Sequence, residues 1–134
     1  MTGALLDFQR TIFTALGADA GLATLVGARI HDGAPRRAVA PFVAFGEARS
    51  RDWSTGSDSG RRLSLVIEAV SDEGGRSEAL AVSAAVEAVV QGALPAMVEH
   101  RLVLLQVGET AVERLKDGRT WRARVRVDAL VEAT

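Results

Sequence analysis

The chain has no cysteine, tyrosine or asparagine, a single lysine at Lys116 and only three prolines. Without cysteine there is no disulfide framework, no thiolate nucleophile and no thiolate metal site, and the composition is compatible with a reducing cytosol. No apolar run is long enough to span a bilayer. The stretch from Met1 to Asp7 lacks the basic start and apolar core of a secretory signal. Charge is also missing in excess: 16 Lys and Arg stand against 17 Asp and Glu, a formal net charge of −1. That balance predicts no nucleic acid partner. Almost every basic residue is arginine, and with the alanine and glycine content this reads as a GC-rich coding bias, which weakens any argument from arginine abundance.

What is present is ordinary for a globular domain. With 134 residues, 48% of them apolar and 25% charged, the chain is long enough for one domain with its own core. No internal repeat breaks it, and a single domain is expected over residues 1–134.

The clearest pattern lies between Leu102 and Val131. Two alternating runs flank Leu115-Lys116-Asp117-Gly118-Arg119, and Asp-Gly between such runs is a strong hairpin signal. Past the turn, Trp121, Ala123, Val125, Val127, Ala129 and Val131 fall on one face. Arg122, Arg124, Arg126 and Asp128 fall on the other, because successive strand side chains alternate sides. The earlier arm is less regular: Val103, Leu105 and Val107 alternate, Gly108 interrupts, and Val112 and Glu113 follow out of step. A glycine inside a strand pattern predicts a bulge.

Upstream, Thr2 can cap a helix from about Ala4 to Leu16, with Leu5, Phe8, Ile12 and Leu16 on one face, Asp7 near its positive end and Gly17 as its stop. Asp19 caps a short second helix carrying Leu22, Leu25 and Val26 and closed by Gly27. A brief strand is expected within Arg29 to Asp32, and a loop over Gly33 to Ala40. The strand headed by Pro41 begins apolar on both faces, which predicts a central position. Ser54 to Gly60 contains no apolar residue and cannot offset its own ordering entropy, so a mobile polar loop or arm is expected over 53–61, at the tip of a long hairpin projecting from the body. Arg61 to Val70 reads as a strand with Leu63, Leu65, Ile67 and Ala69 on its core side. A helix follows from about Arg76 to Gln91 with Ala79, Val82, Val86, Val89 and Val90 as its stripe, ended by Gly92 and Pro95. The order predicts an α+β fold: an antiparallel sheet with a long C-terminal β-hairpin, packed on one side by an N-terminal helix and a long central helix.

No residue set carries catalytic chemistry. His31 and Asp32 are neighbours, yet adjacent strand residues point to opposite faces, which spoils a base with its orienter. No serine stands in a nucleophile-elbow setting. His31 and His100 lack metal-ligand spacing, and Asp72-Glu73 offers too few oxygens for calcium. Gly56 to Gly60 lacks the Lys-Ser/Thr of a phosphate loop. No catalytic, cofactor or metal residues are therefore assigned. The row Arg122, Arg124, Arg126 has two readings: contact with nucleic acid phosphates, or cross-strand pairing with Glu113, Glu109 or Glu68 within the sheet or across a subunit contact. Trp53 also has two, an exposed anchor or a rim residue packed on its own sheet.

A resemblance rests on several segments in order. Ala18-Asp19-Ala20-Gly21-Leu22 follows the first helix, then Val26-Gly27-Ala28-Arg29-Ile30-His31-Asp32-Gly33-Ala34-Pro35. Pro41-Phe42-Val43-Ala44-Phe45-Gly46-Glu47 and Arg51-Asp52-Trp53-Ser54-Thr55 come next, and Asp117-Gly118-Arg119-Thr120 near the end. Over nearly its whole length the chain resembles the tail-completion family of long-tailed bacteriophages, prophages and gene transfer agents, whose members are called tail terminator or tail-to-head joining proteins. The arginine- and alanine-rich composition is similar to gene-transfer-agent versions.

The resemblance implies a virion structural protein at the head-tail junction, not an enzyme. It implies a ring, typically six-fold, of copies of the chain that ends tail-tube polymerisation. The implied partners are other copies, the tail tube protein and head-completion or connector proteins, with DNA passing through the channel unread. Exposure patterns then nominate Arg51, Trp53, Ser54, Thr55, Ser57, Asp58, Arg122, Arg124 and Arg126 as candidate subunit or tail contacts. Two other classes compete: a small accessory nucleic-acid-binding module using the arginine face, and a small enzyme with an unrecognised site. Salt-sensitive DNA affinity lost with those arginines marks the first of these.

Overall fold

Asp19 sets the first boundary of the chain. In the computed structural model, which describes residues 3–54, 56 and 59–133, it ends helix α1 (Ala4–Ala18) in an extended conformation and opens α2 (Ala20–Val26), its carboxylate accepting the Leu22 N–H at 2.8 Å. Helix α1 therefore runs through Gly17 rather than stopping there. Gly3 occupies its N-cap without a side-chain bond, and Thr2 lies outside the described residues. Gly27, at φ +60°, closes α2 as expected. The buried face of α1 is Ala4, Phe8, Ile12 and Leu16, with Leu5 only half-buried; α2 buries Leu22 and Val26 but leaves Leu25 exposed.

The remaining elements are β1 (Ile30–His31), β2 (Phe42–Asp52), β3 (Gly60–Ser71), α3 (Ser77–Gln91), β4 (His100–Arg114) and β5 (Trp121–Ala133). They form a five-stranded sheet in the order β1-β2-β3-β5-β4. Strands β2 to β5 pair antiparallel, while β1 pairs parallel with β2 at Val43 and Ala44, so the sheet is mixed at one edge. The C-terminal hairpin β4–β5 is as the Asp-Gly signal implies. Gly118 takes φ +77° in its turn, and Asp117 accepts the N–H groups of Arg119 and Thr120. Those bonds, first that of the Thr120 hydroxyl, hold the Asp117 carboxyl down to about 2.

One face of the sheet carries the helices. Leu63, Leu65, Ile67 and Ala69 of β3 and Trp121, Ala123, Val125, Val127, Ala129 and Val131 of β5 are buried beneath Phe8, Ile12 and Leu16 of α1 and Ala79, Val82, Val86 and Val90 of α3. Each fully buried valine or leucine contributes about 1.5–3 kcal/mol, which offsets the weak propensity of the valine-rich α3. Val89 is only half-buried, and Ser83 shares the stripe instead.

The Pro41-headed strand is not central. β2 lies second in the order, but β1 covers it only at Val43 and Ala44, so from Phe45 onward it is an edge. Its two apolar faces have another cause: Phe42 and Ala44 join Val70 in a small cluster on the far side of the sheet, with Ala38 and Ala40 of the preceding loop packed on it. The register shifts between Phe45 and Ala48 in β2, and between Leu102 and Leu104 and between Val107 and Thr110 in β4. The last of these brackets Gly108, where a bulge is expected.

Candidate assembly surface

The face of the sheet away from the helices is laid out in rows by the strand register. At one end Arg51 of β2 stands opposite Arg62 of β3, which is followed by Leu130 of β5 and Leu104 of β4. The next row is Arg49, Ser64, Asp128 and Gln106. Further along, Glu68, Arg124 and Ala111 line up, and finally Val70, Arg122 and Glu113. The first two rows and Arg126 line a shallow groove of about 860 Å³.

Arg122 donates to Glu113 across the β4–β5 ladder and lies 4.0 Å from Glu68 on its other side. The hydrogen bond and charge of Arg122 hold the Glu113 carboxyl below its ordinary value. Arg126 pairs along its own strand with Asp128 at 3.3 Å. Arg124 sits opposite Glu68, with its Nε buried and without a hydrogen-bond partner. Arg49 pairs with Glu47 beside it. Arg51 and Arg62 are different: they face each other directly, both exposed, with no carboxylate partner among the described residues, an arrangement that costs energy in an isolated sheet.

Trp53 is half-buried at the end of β2. Its N–H donates to the Gly60 carbonyl at 2.9 Å, and its ring lies where a side chain on Gly60 would fall. Ser54 donates to Asp52 at 2.7 Å. Thr55, Ser57 and Asp58 lie outside the described residues. Trp53 and Ser54 thus share the Arg51 end of the β2–β3 hairpin, while Arg122 and Arg124 lie toward the opposite end of the sheet; the nominated residues do not form one patch.

His31 and Asp32 have separate partners. The His31 ring packs on Phe42 with centroids 5.7 Å apart, and Asp32 accepts from Gln9 at 2.9 Å. His100 meets Asp7 of α1 instead, at 2.8 Å from Nδ1 to Oδ2. No described cluster of His, Asp and Glu has the makings of a metal site. Two features escaped the sequence reading. The Asp7 clamp joins residues more than ninety apart with no local signal, and the open edge of β2 depends on how short β1 is.

The family model for tail completion protein gp17 matches residues 10–132. The chain belongs to the tail-completion family. Its role is accordingly structural, in the phage-type tail, in assembly with other particle proteins. A solved chain from the virion of a native gene transfer agent particle is similar at 30% identity and a TM-score of 0.88, covering 98% of this chain and 100% of that one. No curated protein matches.

Proposed function

We propose that this tail-completion protein is a component of a gene-transfer-agent or phage-like virion that caps the finished tail tube, ends its polymerisation and joins tail to head. The observation that carries the reading is end-to-end similarity, in sequence and in fold, to a chain of a native gene transfer agent virion. Copies of the chain form a closed ring, six-fold by family resemblance, through a heterologous contact repeated until it closes. The polar segment over 53–61 lies at this contact, against the tube or a neighbouring copy. Arg51, Trp53 and Ser54 border that contact, with Thr55, Ser57 and Asp58 in the segment itself. DNA crosses the channel without sequence readout.

Deletion of the coding sequence from a producing strain tests the proposal. The expected result is tails of uncontrolled length and heads without tails by electron micrograph, restored by the intact chain. In complete particles an annulus should stand where the shaft meets the capsid. Normal tails joined to heads in its absence would overturn the reading.

A further inference from the structure

The sheet ends in two unpaired edges of opposite sense. On one side, among the described residues, β2 from Gly46 to Asp52 has no neighbour beyond β3. On the other, the fifteen-residue β4 pairs only with β5, and among the described residues no backbone hydrogen bond from a loop covers its outer edge. Neither edge contains proline or lysine, two common protections against strand addition. Their directions are complementary: β2 and β5 run one way and β3 and β4 the other, so β4 of one copy meets β2 of another as an antiparallel pair with both helix layers on the same side.

Side chains at the two edges also complement each other. On the helix side of β4, Leu105 and Val107 remain only half-buried. On the helix side of β2, Phe45 packs against Phe13, which is 42% exposed. Apolar surface is thus left uncovered at both edges of one core. On the other side of the sheet the edges differ in charge. Among the described residues neither Arg51 at the β2 edge nor Arg62 behind it has a carboxylate partner, whereas the only charged residues between Leu102 and Glu113 of β4 are Glu109 and Glu113.

We infer that β4 of one copy adds to β2 of the next, continuing the sheet from subunit to subunit with Glu109 supplying the carboxylate that Arg51 lacks. The inference rests on the ring reading above and names its contact. Each addition buries one edge of each kind and leaves one of each free, so growth stops only on closure. The bulges in β2 and β4 bend the strands, so the continued sheet curves instead of growing flat.

The absence of native cysteine makes a cross-linking test clean. Arg49→Cys on β2, which shares the face of Gln106 and Ala111, is mixed with Gln106→Cys, Glu109→Cys or Ala111→Cys on β4, and each mixture is oxidised both free and bound to tail tubes. Mixed dimers at one or more β4 positions are expected, and a covalent ladder when both cysteines are on one chain. Dominant β2–β2 or β4–β4 links, or none in either setting, would overturn the inference. Separately, Arg51→Glu and Glu109→Arg should each weaken self-association about tenfold, and mixing the two variants should restore it. Lack of restoration counts against the pairing. If micrographs still show the annulus while cross-links fail, the edge assignment falls and the ring stands; loss of both removes the ring as well.

Discussion

The carboxylate of Asp7, in the first turn of α1, lies 2.8 Å from Nδ1 of His100 at the start of β4. It also accepts the N–H groups of Val98 at 3.1 Å and Glu99 at 2.9 Å. A carboxylate only accepts, so Nδ1 carries the proton in this contact. Asp7 is 2% exposed, and this cluster of bonds ties the N-terminal helix to the strand that ends the sheet.

Asp7→Ala should lower unfolding stability by about 2–4 kcal/mol, because three donors are left without their charged acceptor. Urea titration measures the loss. In a double-mutant cycle with His100→Ala the two effects should fall short of additive.

The same carboxyl predicts an acid dependence. Burial pushes it up, but hydrogen bonds from His100, Glu99 and Val98 and the charge of His100 outweigh that effect, so it titrates below its ordinary 3.8. The unfolded chain then binds more protons than the folded chain in this window. The stability it contributes is complete above the unfolded value and is lost as pH falls through the folded one. Below about pH 4 wild-type stability should drop more steeply than that of Asp7→Asn, as read by unfolding titrations at stepped pH.

Trp121 lies between two arginines, with Cζ of Arg76 at 5.1 Å and Cζ of Arg114 at 4.9 Å from the ring centre. Arg76→Ala or Arg114→Ala should each cost about 0.5–2 kcal/mol through the lost cation–π contact. Trp121→Ala should cost about 3–5 kcal/mol, because a large buried ring leaves a cavity. Thermal unfolding of the three variants ranks them, and equal losses for all three would contradict the account.

Gly60→Ala probes Trp53. A Cβ there would stand 2.8 Å from the Trp53 ring and 3.0 Å from its carbonyl oxygen, so the ring must move and the backbone leaves little room. A cost of about 1–3 kcal/mol is expected, with a red shift of tryptophan emission. Unchanged emission would show that the ring does not rest on Gly60.

DNA affinity separates the family role from a nucleic-acid module. Arg122 and Arg126 already face Glu113, Glu68 and Asp128, so two of the three guanidinium groups of that row are taken. The isolated protein should bind duplex DNA weakly, and charge removal at Arg122, Arg124 and Arg126 should change that little, by fluorescence anisotropy across a salt series. A steep salt slope lost in the triple variant would favour the module.

Alternation by itself determined much of this protein. The faces of β5, the stripe of β3, the Asp19 cap and the Asp117-Gly118 turn depend on neighbours within a few residues, and there periodicity and capping chemistry suffice. The sequence of segments also carried the family resemblance. Only the tertiary structure decided what depends on residues far apart. It showed that β1 is two residues long and parallel, that the double apolar start of β2 serves a loop cluster and not a central position, and that Asp7 reaches His100. The facing of Arg51 with Arg62 and the two free edges belong to the same class. Strand order and edge exposure are settled by which surfaces the packed core leaves over, and no local pattern encodes that remainder.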